Sequence, residues 1–187
     1  MVDRLGKQVK KIVKTTKSGN GILKRYLKRV SEGELTRDEN PVTHFCVYFA
    51  AFDPNNKEVF IGHHKKSGLW LFNGGHIDKG ETADEALRRE ISEEWGIDIN
   101  LDNISPSLLT ITEIVSNPNG RPCKEHYDIW HLIPVGKDNF LPEKEKLDTE
   151  FYTTKWANIS DARALVTDPC TIEALGFLEK TIWQNGK

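Results

Sequence analysis

The stretch from Gly74 to Ile97 constrains this chain more than any other part of it. Three glycines, Gly74, Gly75 and Gly80, together with Asp78 make a loop with no bulky side chains at its hinge points. Thr82 with Glu85 three residues on has the form of a capping box, and Gly96 is a natural C-terminal stop. The spacing predicts a helix of about four turns over 82–95, fed by a glycine loop. On a wheel at about 100° per residue, Ala83, Leu87, Ile91 and Trp95 form one apolar stripe. An ordinary surface helix turns its acids away from such a stripe. Here Glu94 falls between Ala83 and Leu87 in angle, Glu90 falls between Ala83 and Ala86, and Glu93 sits at the edge. Two carboxylates therefore point towards the core side.

A buried carboxylate left unpaired is very costly, so these groups require a cation or strong donors. Acids at i, i+3 and i+4 converge on a metal, and all-oxygen ligation suits a hard cation, Mg²⁺ or Mn²⁺, rather than zinc. The plainer alternative is a solvated charged face, and the wheel positions argue against it. Arg89 lies on the outer side, within reach of Glu85 and Glu93. It is read either as an ordinary helix ion pair, worth a few tenths of a kcal/mol, or as the group that orients a metal-binding acid.

The segment resembles the Nudix box: Gly, five residues, Glu, seven residues, Arg-Glu-aliphatic, one residue, Glu-Glu, one residue, Gly-aliphatic. Gly75, Glu81, Arg89, Glu90, Ile91, Glu93, Glu94, Gly96 and Ile97 match every specified position. At average residue usage a chance match has a probability of roughly one in ten million. The box covers 75–97, and the strand pattern from about 42 to 183 is also Nudix-like. Within the superfamily, His44, His63-His64-Lys65, the Gly-Gly-His at 74–76 and His126-x-Asp128 resemble a group of bacterial members. Asn73 departs from the pattern, standing where many boxes carry a proline.

The resemblance implies an α/β (α+β) fold, an α/β/α sandwich with a mixed β-sheet and a loop-helix-loop metal site. It implies hydrolysis of the diphosphate bridge in a nucleoside diphosphate linked to another moiety, by water attacking phosphorus, with Mg²⁺ or its substitute Mn²⁺. Carried onto this chain, Glu90, Glu93, Glu94 and the carbonyl of Gly74 would hold the metal. Glu93 or Glu90 would instead serve as general base, Arg89 would orient the acids, and Glu81 would support the cluster. Many members recruit a further acid after the box. Glu150 is the first candidate here, Asp128 its competitor, and Glu125 and Glu113 rank lower. Trp70 and Phe72 are candidates to stack a base, though alternating aromatics in a strand also serve a core. His76, His126 and Asp128 are candidate substrate contacts, and His63, His64, Lys65 and Lys66 candidate phosphate contacts.

The rest of the chain sets the frame. Residues 1–30 carry ten Lys/Arg against Asp3 alone, a balance of +9, while the remainder has 16 basic and 27 acidic residues, or −11. Leu5, Val9, Ile12 and Val13, then Leu23, Tyr26, Leu27 and Val30, fall at helical spacing either side of a Ser18–Gly21 break. The expected organisation is a basic helical extension over 1–40 and a Nudix domain over 41–187. Strands are expected at 44–50, 58–62, 69–72, 108–115 and 126–134, with an extended stretch over 150–156. Helices are expected at 160–166 and 170–183. No apolar run approaches the roughly 20 residues of a membrane span, and the start has no signal-peptide core, so a cytoplasmic protein is expected. Cys46, Cys123 and Cys170, with no CxxC, fit reduced thiols rather than a disulfide framework or a zinc site.

The expected partner is a nucleotide-type small molecule, with no membrane. Two other function classes remain open: a non-catalytic nucleotide-sensing module of the same fold, and an RNA-end pyrophosphohydrolase whose basic head holds the RNA. Dimers are common in the family, so a homodimer is a further expectation.

Overall fold

The computed structural model describes residues 3–114 and 122–183. In chain order the elements are α1 (Arg4–Thr15), α2 (Asn20–Glu32), β1 (Thr43–Asp53), β2 (Glu58–His64), β3 (Trp70–Leu71), β4 (Asn73–His76), α3 (Ala83–Trp95), β5 (Pro106–Glu113), β6 (Glu125–Pro134), α4 (Lys144–Glu150), β7 (Phe151–Asn158), α5 (Ile159–Leu165) and α6 (Pro169–Leu178). Seven strands form one sheet in the order β3-β2-β1-β6-β5, with β4 pairing on β1 and β7 pairing on β2. This is the mixed sheet with helices expected from the sequence. Among the described residues, no helix is long and apolar enough to cross a membrane.

The chain divides into two compact units, to both of which β1, β6 and α3 contribute. The first comprises Met1–Tyr48, Gly74–Arg88 and Pro106–Trp130. Its core is one cluster in which Leu5, Val9, Ile12 and Val13 of α1 and Tyr26 and Val30 of α2 are buried with Phe45, Val47, Ala83, Leu109 and Ile129. The apolar stripes of the basic head are thus core surface. Asp3 caps α1 by accepting from the Gly6 N–H at 2.7 Å, the arrangement that satisfies an orphan donor at a helix start. The Tyr26 hydroxyl donates to the carbonyls of Thr110 at 2.8 Å and Asp128 at 2.6 Å. Arg29, also buried, donates to the carbonyls of Gly33, Glu34 and Thr43. Its charge is spread over the end of α2, where carbonyl dipoles accumulate. Arg4 pairs with Glu85 and Arg25 with Glu125. Part of the head's positive charge is therefore engaged within its own unit.

The second unit comprises Phe49–Asn73, Arg89–Ser105 and His131–Lys187. The β1–β2 hairpin pairs Phe52 with Val59 and Asp53 with Glu58. Asp53 drives the turn: its carboxylate accepts from the N–H groups of Asn55 and Asn56 and the Asn56 amide, and a fourth bond comes from the Lys137 N–H at 2.8 Å. Pairing of β2 with β7 is antiparallel, with a register shift at His63/His64. Trp95 ends α3 fully buried, edge-on to Phe49 and Phe140 at ring distances of 4.7 and 4.9 Å.

Three expectations need correction. Residues 73–76 are a strand, not a loop, because backbone pairing with β1 does not depend on side-chain propensity. Glu150 closes the helix α4 instead of opening an extended stretch, which starts at Phe151. That helix is short and buries only Leu147, so it leaves no periodicity to read. The last helix ends at Leu178 and continues as a π-helical turn over Glu179–Trp183.

Removing the Tyr26 hydroxyl (Tyr26→Phe) leaves two buried carbonyls without this donor and should cost about 1–3 kcal/mol. The expected readout is a lower urea midpoint at unchanged slope; an unmoved midpoint would show that these bonds contribute nothing net. Asp53 gives a pH signature. Hydrogen bonds from the Lys137 N–H first, then Asn56, hold its carboxyl down at about 2, against an ordinary 3.8. The folded chain therefore binds fewer protons than the unfolded chain between those values. This stabilisation is complete above pH 4 and lost as the pH falls towards 2. Asp53→Asn should melt below wild type at pH 7 and approach it near pH 2.

Candidate functional site

Two parts of the glycine-loop and helix segment belong to the first unit. The capping box forms as read: the Thr82 N–H donates to Glu85 Oε2 at 2.8 Å, and the Glu85 N–H donates back to Thr82 Oγ1 at 3.3 Å. Glu85 also takes Arg4 at 2.7 Å. These contacts, Arg4 first and Thr82 next, hold its carboxyl at about 2. Glu85 is thus held by Arg4, 81 residues away in sequence. Ahead of the helix, Glu81 Oε2 accepts from the Asp78 N–H at 2.9 Å, which tightens the loop.

Gly74 lies where a Cβ would meet the Val47 carbonyl at 2.6 Å and the Tyr48 ring at 2.7 Å. Only glycine lets β4 approach β1 this closely, and the approach positions the Gly74 backbone.

The acids of α3 belong to the second unit. Glu90 and Glu94 are each 8% exposed, whereas the Glu93 side chain is 58% exposed. The wheel reading of two core-side carboxylates and one at the edge therefore holds. Arg89 Nη1 donates to Glu90 Oε1 at 2.7 Å and to Glu93 Oε2 at 3.2 Å, so one guanidinium nitrogen orients two of the three acids. The Asn73 amide, buried, donates to Glu94 Oε2 at 2.5 Å. Sequence reading treated Asn73 only as a missing proline. A proline there would have no donor to hold Glu94. The helix stops at Gly96, whose φ of +65° is a left-handed conformation that favours glycine.

The remaining candidates have partners of their own or are buried or exposed as follows. Glu150 is engaged by Lys66 Nζ at 2.6 Å and lies 3.6 Å from His64 Nε2. Trp70 stacks on His63 at 5.5 Å, and Lys155 Nζ lies over its ring, 5.0 Å from the ring centre. Phe72 is 2% exposed and packs as a core residue. Asp128, fully buried, accepts from Thr110 and Thr112 of β5, a strut between adjacent strands. Glu125 is committed to Arg25, and Glu113 is exposed at the end of β5.

One grouping escaped the sequence reading altogether. In the first unit, ligand atoms of His44, Cys46, His76 and His126 all lie within 4.8 Å of one another. Burial pushes the His126 imidazole down to about 4 and lowers His44 as well. The available signal was His44-x-Cys46, two residues apart and so on one face of a strand. No local pattern ties them to His76 or His126.

Similarity to known proteins follows the same region. The family model described as NUDIX domain matches residues 26–173. The chain is 42% identical over 99 residues to a nucleoside triphosphatase NudI of Klebsiella pneumoniae, covering 51% of this chain and 66% of that protein. It is 49% identical over 95 residues to a protein of the same name from Escherichia coli, covering 50% and 64%. The matched stretch thus spans less than two thirds of these relatives' own length. Among solved structures, the E. coli dihydroneopterin triphosphate pyrophosphohydrolase superposes with a TM-score of 0.58 at 19% identity, covering 74% of this chain and 94% of that one. A NUDIX-family hydrolase from Clostridium perfringens gives 0.52 at 25% identity, covering 73% and 97%.

Proposed function

The chain belongs to the NUDIX family, and from that premise we propose that it hydrolyses a pyrophosphate linkage in a nucleotide, with a divalent cation held by Glu90, Glu93 and Glu94. The observation that carries this reading is the burial of Glu90 and Glu94 on the core side of α3, with Arg89 and Asn73 fixing their direction. The donor set fits Mg²⁺, with Mn²⁺ as substitute, because every donor is a carboxylate oxygen. When bound, such an ion neutralises phosphate charge and lowers the pKa of water.

The chain's own groups divide the remaining work. Glu93 is the most exposed acid of the three, and with Glu90 it is a candidate to take a proton from the attacking water. Arg89 is a positioning residue, since its contacts are to Glu90 and Glu93. Glu81 supports the loop through the Asp78 N–H. Glu150 enters only by leaving Lys66. Trp70 and His76, both partly exposed, are the candidate substrate contacts. The relatives' names, nucleoside triphosphatase and dihydroneopterin triphosphate pyrophosphohydrolase, favour a triphosphate-bearing substrate.

A panel led by nucleoside triphosphates should show Mg²⁺-dependent release of phosphate or pyrophosphate; folded protein that turns over no member would overturn the reading. Glu94→Gln preserves shape and removes the charge. It should lower kcat by orders of magnitude with little change in Tm, and a normal rate would refute the ligand assignment. Arg89→Ala should weaken Mg²⁺ affinity by about 10–100-fold, as loss of an orienting partner does.

A further inference from the structure

Three neighbouring strands of the first unit bring four scattered side chains to one place. His44 and Cys46 alternate on β1, His76 ends β4, which pairs with β1, and His126 is the second residue of β6, another neighbour of β1. The three imidazoles form a nearly equilateral triangle: His44 to His76 is 4.8 Å, His44 to His126 is 4.9 Å and His76 to His126 is 5.1 Å between ring centres. His44 and Cys46 are buried, and the other two are half-buried. None of these residues has a role in the proposed hydrolysis beyond the candidate substrate contacts at His76 and His126.

Two further observations point to a ligand. His44 Nδ1 lies 3.0 Å from the Asn40 carbonyl, which can only accept. That bond places the proton on Nδ1 and leaves Nε2 as an acceptor, 3.7 Å from Cys123 Sγ, the usual tautomer of a histidine held for a metal. Nδ1 of His126 is buried and has no hydrogen-bond partner among the described residues.

We propose that His44, Cys46, His76 and His126 form a second metal site, taking a borderline-soft transition ion of the zinc class and distinct in chemistry from the all-oxygen set on α3. Imidazole and thiolate donors select such ions over Mg²⁺. Bonds of about 2.0–2.3 Å in a tetrahedron put ligand atoms about 3.3–3.8 Å apart. The observed limit of 4.8 Å therefore closes by small side-chain shifts. Four protein donors leave no position for substrate, which is the form of a structural site. The ion would tie β4, β1 and β6 together beside Gly74.

Binding releases the Cys46 thiol proton to solvent, so affinity rises with pH. Arg37, 3.3 Å from His76 Nδ1, opposes the incoming charge. It is half-exposed and already 3.8 Å from Asp78, which can hold it instead. Cys123 is the neighbour to be told apart, because its Sγ lies 2.7 Å from His126 Nε2.

The test is titration of the reduced, metal-free full chain with Co²⁺ in excess Mg²⁺. The site gives a cobalt–thiolate charge-transfer absorption with the visible bands of tetrahedral cobalt, at one equivalent, and stoichiometric Zn²⁺ removes them and raises Tm. Cys46→Ser should abolish the charge-transfer band. His76→Gln, a change at a half-buried position, should weaken Co²⁺ binding at least about 10-fold. Cys123→Ser and Glu94→Gln should keep the band. Absence of a thiolate band in wild type overturns the proposal, as does its loss in Cys123→Ser with retention in Cys46→Ser. Because the readout is spectroscopic and survives Glu94→Gln, its failure is separable from failure of the hydrolase reading.

Discussion

The functional reading depends on two carboxylates kept on the core side of α3. Glu90 and Glu94 are as buried as many apolar side chains here. Desolvation alone would drive such groups to neutrality or out to solvent. The second unit answers with different partners: a guanidinium for Glu90, shared with the exposed Glu93, and a neutral amide for Glu94. Arg89 is a rigid, always-charged fork, and so holds direction as well as charge. The Asn73 amide adds direction without charge. Three acids on one helical turn therefore sit in three distinct environments, which is the condition for giving neighbouring carboxylates different roles.

Within the first unit the backbone is closely placed. Gly74 brings β4 against β1 at a distance no side chain would allow, and Glu81 closes the loop on the Asp78 N–H. The basic head belongs to this unit's core. Its apolar stripes are buried beside Phe45 and Leu109, and Arg29 lies among carbonyls. Its charges pair with acids far along the chain, as Arg4 does with Glu85 and Arg25 with Glu125. This gives the head a structural reason for part of its positive charge without any nucleic-acid partner.

Much of this was legible residue by residue. The capping box at Thr82 and Glu85 and the stop at Gly96 both form, since each is chemistry between residues within one helical turn. Asp128 was legible as a candidate further acid or substrate contact, but not as the acceptor of two threonines on β5. Phe72 and Trp70 looked alike as alternating aromatics, yet Phe72 is in the core while Trp70 is half-exposed. Trp70 opens a two-residue strand and Phe72 lies just beyond it, too short a stretch for alternation to separate them. The helix α4 and the glycine strand β4 escaped because neither carries a side-chain period.

What the sequence alone determined is angular and local: which residues of α3 face inward, where that helix begins and ends, and that its inward face carries acids. Those follow from the fixed 3.6-residue turn and from caps satisfied within one turn. What the tertiary structure decided is partnership across the chain. Asn73 meets Glu94, Arg4 meets Glu85, and His44, Cys46, His76 and His126 gather across three strands. Strand pairing sets those meetings. It brings together residues tens of positions apart, and no period in a single chain encodes which strand will lie beside which.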